Sequence, residues 1–158
     1  MNKNNVLGII LSGGLSTRMG EDKSTKKISG KSLLEHVIVR SSDQVDKLII
    51  NSNKSNNIFK KLGMDTVISD CIPGSLGPLI GVLSGLKWAR KNSDYEWLVS
   101  FPVDCPFFPK NIVKRFIEES GNYKIVLAES AERLHPVFSM WRVSENLEGQ
   151  LETFLVNG

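Results

Sequence analysis

The chain of 158 residues has only two cysteines, Cys71 and Cys105, and their separation matches no metal-ligand spacing. So few thiols exclude a disulfide framework and point to a reducing compartment, the cytoplasm. Long apolar runs are also missing. Near the N-terminus the longest is Val6–Leu11, preceded by one lysine and followed at once by polar residues. Neither a signal peptide nor a membrane span is expected from that pattern. Charge of one sign is not in excess: 20 basic against 17 acidic residues leave a net charge of +3, with no run of five like charges. A nucleic-acid partner and a membrane partner are therefore not expected. Histidine is scarce as well. His36 falls within a helical stripe and reads as structural or surface-exposed, and His135 opens an apolar strand before Pro136 and reads as a packed or hydrogen-bonded structural residue.

Apolar patterning is present in short, well-bounded pieces, and it predicts a single domain over residues 1–158. Val6–Leu11, ended by Ser12-Gly13-Gly14, reads as a strand buried on both faces. Leu33, Leu34, Val37 and Ile38 form a helical stripe, with Ser32 as N-cap and Glu35 completing a capping box. Further strands are expected at Lys47–Asn51, Thr66–Ile68, Trp97–Phe101, Tyr123–Ala128 and His135–Trp141. Helices are expected at Asn56–Leu62, Pro78–Arg90, Ile112–Glu119 and Glu145–Val156. Alternating strands and helices predict an α/β fold: three layers, Rossmann-like, with a mostly parallel sheet and helices on both faces.

Ligands in such a sheet bind beyond the carboxyl ends of the strands. Three polar features fall at such ends: the loop from Ser12 through Lys23, Asn51, and Asp104. In the loop, glycines permit close approach of backbone N–H groups to phosphate, and Arg18 and Lys23 can neutralise its charge. The spacing is neither a P-loop nor G-x-G-x-x-G, since Met19 stands where a P-loop counted from Gly14 needs glycine. A solvated loop with two exposed cations is the other reading. Asp104 lies between Pro102 and Pro106, which leaves it little backbone freedom. It suits a Mg²⁺ ligand where phosphates complete the shell. Equally, it suits an Asx-turn or an N-cap for a helix starting near Lys110. Cys105 has no histidine partner in sequence, and Trp88, Trp97 and Trp141 read as core or rim residues.

Taken together, Leu11-Ser12-Gly13-Gly14, Arg18-Met19-Gly20 and Asp22-Lys23 resemble the signature of nucleotidyltransferases with a nucleotide-sugar-transferase fold. Within that group the chain resembles the molybdenum cofactor guanylyltransferase family. The resemblance extends through Ile49–Asn53, Val67–Asp70, Gly77–Gly81, Pro102–Pro106 and Arg133–Val137. It implies transfer of GMP from GTP to the phosphate of a molybdopterin-type acceptor carrying molybdenum, with release of pyrophosphate. It implies GTP contacts at Leu11, Ser12, Gly13, Gly14, Lys23, Asn51, Asp70 and Asp104, with Arg18 assisting on the triphosphate. Arg18, Lys23 and Asp104 would be the catalytic residues, and Asp104 would hold Mg²⁺. Transient contact with other cofactor-biosynthesis proteins is a further expectation. Ser12 replaces the family's usual alanine, and family members usually continue past Gly158 with a further strand and helix. The chain is thus expected to be short of the family at its C-terminus. A cytidylyl or sugar-phosphate nucleotidyltransferase, or an inactive nucleotide-binding homologue, is the alternative.

Overall fold

The computed structural model describes residues 5–13, 25–54, 57–74, 76–92 and 94–158. Gly14, Arg18 and Lys23 lie outside the described residues, as does Asn56, the expected first residue of the second helix. The elements run β1 (Val6–Leu11), β2 (Lys27–Ile28), β3 (Lys31–Ser32), α1 (Leu33–Ser42), β4 (Lys47–Asn51), α2 (Asn57–Lys61) and β5 (Val67–Ile68). They continue with α3 (Leu79–Asn92), β6 (Trp97–Pro102), α4 (Ile112–Ser120), β7 (Ile125–Ser130), β8 (Arg133–Arg142) and α5 (Glu145–Asn157).

Six strands form one sheet in the order β5-β4-β1-β6-β8-β7. Pairing is parallel from β5 through β6, and antiparallel between β6 and β8 and between β8 and β7. The expected α/β fold with a mostly parallel sheet is the observed one. The departure is local. Ala131 and Glu132 both take positive φ (49° and 60°), so β7 and β8 close as a tight hairpin instead of through a crossover helix.

Period-two burial decides the layers. On β1, Val6 and Ile10 face a core shared with Leu34 and Val37 of α1, Phe59 of α2, and Val113 and Phe116 of α4. Leu7, Ile9 and Leu11 face the opposite core, with Leu83 and Leu86 of α3 and Leu147 and Leu151 of α5. Gly8 is required between them, because a Cβ there would lie 2.9 Å from Leu48 Cδ1 and 3.2 Å from Phe101 Cε2. Helix α1 starts as expected: Glu35 N–H donates to Ser32 Oγ (3.2 Å), and Ser32 N–H donates to Glu35 Oε2 (2.6 Å). Helices α3 and α5 are joined by Lys87–Glu152 (2.6 Å) and Arg90–Glu148 (2.9 Å). Where parallel and antiparallel halves meet, Ser100 Oγ donates to Val137 O (2.8 Å) and lies 2.9 Å from Ser139 Oγ, which accepts from Trp141 Nε1 (2.7 Å). These bonds satisfy polar groups that the sheet buries. Among the described residues no helix is long and apolar enough to cross a membrane.

Candidate active site at the carboxyl ends of the parallel strands

The parallel ladder brings the ends of β1, β4, β5 and β6 to one rim. Ser12 N–H donates to Asn51 O (3.0 Å), Ser52 N–H to Ile68 O (2.9 Å), and Val103 N–H to Leu11 O (3.3 Å). Leu11, Ser12, Gly13, Asn51, Asp70 and Asp104 therefore share this rim, although they span much of the sequence. The first turn of α3 closes over it. Gly74 and Gly77 at φ +114° and +74° bend the chain into Pro78, and Gly81 then meets β1 and β4.

Asn51 is nearly fully buried, at 2% exposure. Its Nδ2 donates to Asp70 Oδ1 (2.9 Å) and, at longer range, to Ile68 O (3.4 Å). Both partners only accept, so both amide hydrogens are used inside the protein. What Asn51 has left to offer is Oδ1, which lies beside Gly13 and Gly81. The carboxylate of Asp70 is held on its other oxygen by Asn53 Nδ2 (2.8 Å), while Asp70 N–H donates to Asn53 Oδ1 (2.9 Å). Nothing in the sequence sets Asn53 apart as a site residue, although it lies in the same strand-end segment as Asn51.

Asp104 follows β6 in an exposed turn, with Pro102 and Pro106 buried on either side. The Cys105 thiol lies 3.7 Å from Asp104 Oδ1. Helix α4 begins at Ile112 with Asn111 in the N-cap position, so capping that helix is not the task of Asp104. Among the described residues no group of three or more His, Cys, Asp or Glu could hold a metal ion. An exposed single carboxylate does fit Mg²⁺ when phosphate oxygens and water fill the other positions.

Both histidines are engaged away from such chemistry. His36 Nε2 bonds Ile28 O (2.8 Å), and His135 Nε2 bonds Ser130 Oγ (2.7 Å) across the β7–β8 hairpin. Trp97 and Trp141 are buried and Trp88 is half-buried, as expected. A hollow of about 370 Å³ between Gly121, Tyr123, Arg142 and Asn146 lies at the opposite rim, and none of the expected site residues that are described lines it.

Residues 8–155 match the family described as MobA-like NTP transferase domain. The chain belongs to that family. It is 39% identical over 140 residues to a molybdenum cofactor guanylyltransferase of Nitrobacter hamburgensis, covering 86% of this chain and 66% of the relative. The corresponding protein of Rhodopseudomonas palustris is 43% identical over 137 residues, covering 84% and 65%. That of Yersinia pestis is 37% identical over 155 residues, covering 98% and 76%. The chain thus spans about two thirds of the first two relatives. Among solved structures, molybdopterin-guanine dinucleotide biosynthesis protein A of Archaeoglobus fulgidus superposes with a TM-score of 0.73 at 18% identity, covering 96% of this chain and 74% of that one. A 4-diphosphocytidyl-2C-methyl-D-erythritol synthase of Anaerococcus prevotii gives 0.67 at 16% identity, covering 96% and 75%. The family resemblance read from the motifs is borne out, and the two structures share its fold.

Proposed function

We propose that this chain carries the nucleotidyl-transfer domain of a molybdenum cofactor guanylyltransferase, which moves GMP from GTP to the phosphate of a molybdopterin-type acceptor. The observation that carries the reading is the gathering of Ser12, Gly13, Asn51, Asp70 and Asp104 on one rim beside the first turn of α3. In the sequence, the loop containing Arg18 and Lys23 follows directly on Ser12 and Gly13 of that rim. The relatives by sequence are named as guanylyltransferases, which favours a guanine nucleotide over the cytidine nucleotide suggested by the name of the Anaerococcus prevotii neighbour.

An oxygen of the acceptor phosphate attacks the α-phosphorus of GTP. A new P–O bond forms there, the bond to the α–β bridging oxygen breaks, and its electron pair leaves with pyrophosphate. Such a reaction needs placement and charge neutralisation more than a protein nucleophile. Backbone at Leu11–Gly14 approaches the nucleotide, Lys23 and Arg18 neutralise the triphosphate, and the Asn51–Asp70 pair lines the nucleoside pocket. Asp104 is the residue that would hold Mg²⁺, and the bound ion would supply further charge neutralisation on the phosphates. A reducing cytoplasm, where Cys71 and Cys105 stay as thiols, is the compartment this reading needs. Transient docking with other cofactor-biosynthesis proteins would hand over a labile acceptor.

Calorimetric binding of GTP, CTP and ATP in the presence of Mg²⁺, followed by pyrophosphate release with acceptor, tests the proposal. Preference for GTP and acceptor-dependent release are expected. Preference for CTP would make the enzyme a cytidylyltransferase, and GTP binding without release would leave an inactive homologue. A folded sample that binds no nucleotide would overturn the reading.

A further inference from the structure

Asp70 does not stand freely at the rim. It is the only charged member of a closed set of three side chains whose other two members are amides. Asn53 lies two residues beyond the end of β4, and Asp70 two residues beyond the end of β5. The last backbone bond between the two segments runs from Ser52 N–H to Ile68 O. One step further out, the side-chain amide of Asn53 takes the place of a backbone amide. It accepts from Asp70 N–H at 2.9 Å and donates to Asp70 Oδ2 at 2.8 Å. Asn51 donates to the other oxygen, Oδ1, at 2.9 Å. The carboxylate is therefore pinned at both oxygens, and its backbone is pinned as well.

Each carboxylate oxygen has two acceptor positions, so one on each oxygen is still open after the two amides are seated. A fixed, acceptor-only group discriminates among purines. Guanine presents adjacent N1–H and 2-amino donors on its pairing edge, whereas adenine presents an acceptor at N1. Discrimination by such a group is large when its geometry is fixed and small when it can swing.

We propose that Asn53 is a positioning residue for base selection, holding the Asp70 carboxylate in the orientation that accepts from the donor edge of guanine. This rests on the GTP reading above and adds to it a residue that acts through another. Asn53 is exposed and Asn51 is buried. The outer amide can therefore be removed without opening the core, whereas Asn51 cannot.

The test is calorimetric affinity for GTP and for inosine triphosphate, which lacks only the 2-amino group, each with Mg²⁺. It compares the unaltered chain, Asn53→Ala, Asp70→Asn and the double variant. The unaltered chain is expected to prefer GTP. In Asn53→Ala the GTP preference should shrink by about tenfold, the effect of losing one hydrogen bond to a charged group. Adding Asn53→Ala to Asp70→Asn should cost nothing more, because the group it positions is already gone. If Asn53→Ala weakens both nucleotides equally, or if the two substitutions add, the proposal is overturned. If Asp70→Asn loses the preference and Asn53→Ala keeps it, Asn53 has no positioning role, yet the GTP reading survives. If the unaltered chain binds neither nucleotide, both fall. Should Asn53→Ala not fold, Asn53→Ser, polar at the same exposed position but too short to reach both partners, serves in the same comparison.

Discussion

Gly81 stands where any side chain would strike Asn51: a Cβ built on it lies 2.5 Å from Asn51 Oδ1 and 2.7 Å from Leu11 Cδ2. Asn51 cannot retreat, because its amide is tied to Asp70 and Ile68. Gly81→Ala should therefore destabilise the fold by about 1–3 kcal/mol, the usual cost of overpacking. It should also weaken GTP binding by shifting the first turn of α3. Urea unfolding and calorimetry on the same sample check both. Unchanged stability would mean that α3 rides over β1 and β4 with slack.

Asp104→Asn should leave folding intact, since the side chain is exposed in a turn. It should abolish Mg²⁺-dependent pyrophosphate release. Comparing the thermal midpoint with turnover separates the two effects. A variant that stays active would mean that another carboxylate holds the ion.

Lys23→Ala is expected to weaken triphosphate binding by about 1.5–3 kcal/mol, the range for a charge-assisted hydrogen bond. The affinity for GMP should change far less, because GMP lacks the outer phosphates. Equal losses for GTP and GMP would move Lys23 away from the triphosphate.

The capping box of α1 makes stability depend on acid. Glu35 is held below the usual glutamate range, first by the Ser32 backbone N–H, then by the Ser32 hydroxyl, and further by Lys31 and Lys27. A carboxylate lowered on folding contributes stability that is present above its unfolded value and is lost as pH falls through the folded one. The unaltered chain should lose midpoint temperature as pH falls below the ordinary glutamate value of 4.5. Ser32→Ala should cost about 1 kcal/mol near neutrality and reduce that acid slope only in part, because its backbone N–H still donates to Glu35, whereas Glu35→Gln should remove the contribution of the box altogether. Parallel slopes for the unaltered chain and Glu35→Gln would remove the box as the cause.

The β7–β8 turn carries strain that glycine would relieve. Ala131 and Glu132 have φ of 49° and 60°, a region costly for residues with a Cβ. The double substitution Ala131→Asn with Glu132→Gly installs the Asn-Gly pair that such a hairpin prefers. A gain of about 1 kcal/mol is expected, read as a rise in the urea midpoint at unchanged slope. A fall would show that the two side chains make contacts worth more than the strain.

This turn also marks where sequence ceases to be legible. Val6–Leu11 and Lys47–Asn51 are readable to the residue because their apolar runs end abruptly in polar ones. Ser32 and Glu35 announce the start of α1 through capping chemistry. Ala131-Glu132 carries no turn signal, so the two final strands are visible in the sequence but their hairpin and antiparallel pairing are not. Strands β2 and β3 have two residues each, too few to show any period. For the site, Asn51 and Asp104 are legible as polar residues at strand ends. The Asn53–Asp70 pair is not, because it exists only through the parallel register of β4 against β5, which lays Ile68 beside Asn51.

Every segment of the proposed site leaves the sheet at one rim, so the other rim is free for engineering. The turn from Gly121 to Lys124 is exposed there, with Gly121 at φ +43°. A fluorophore or a fusion partner attached at Asn122 would stand across the full length of β6 from Asp104. It would report tumbling and association of the domain while leaving nucleotide access untouched.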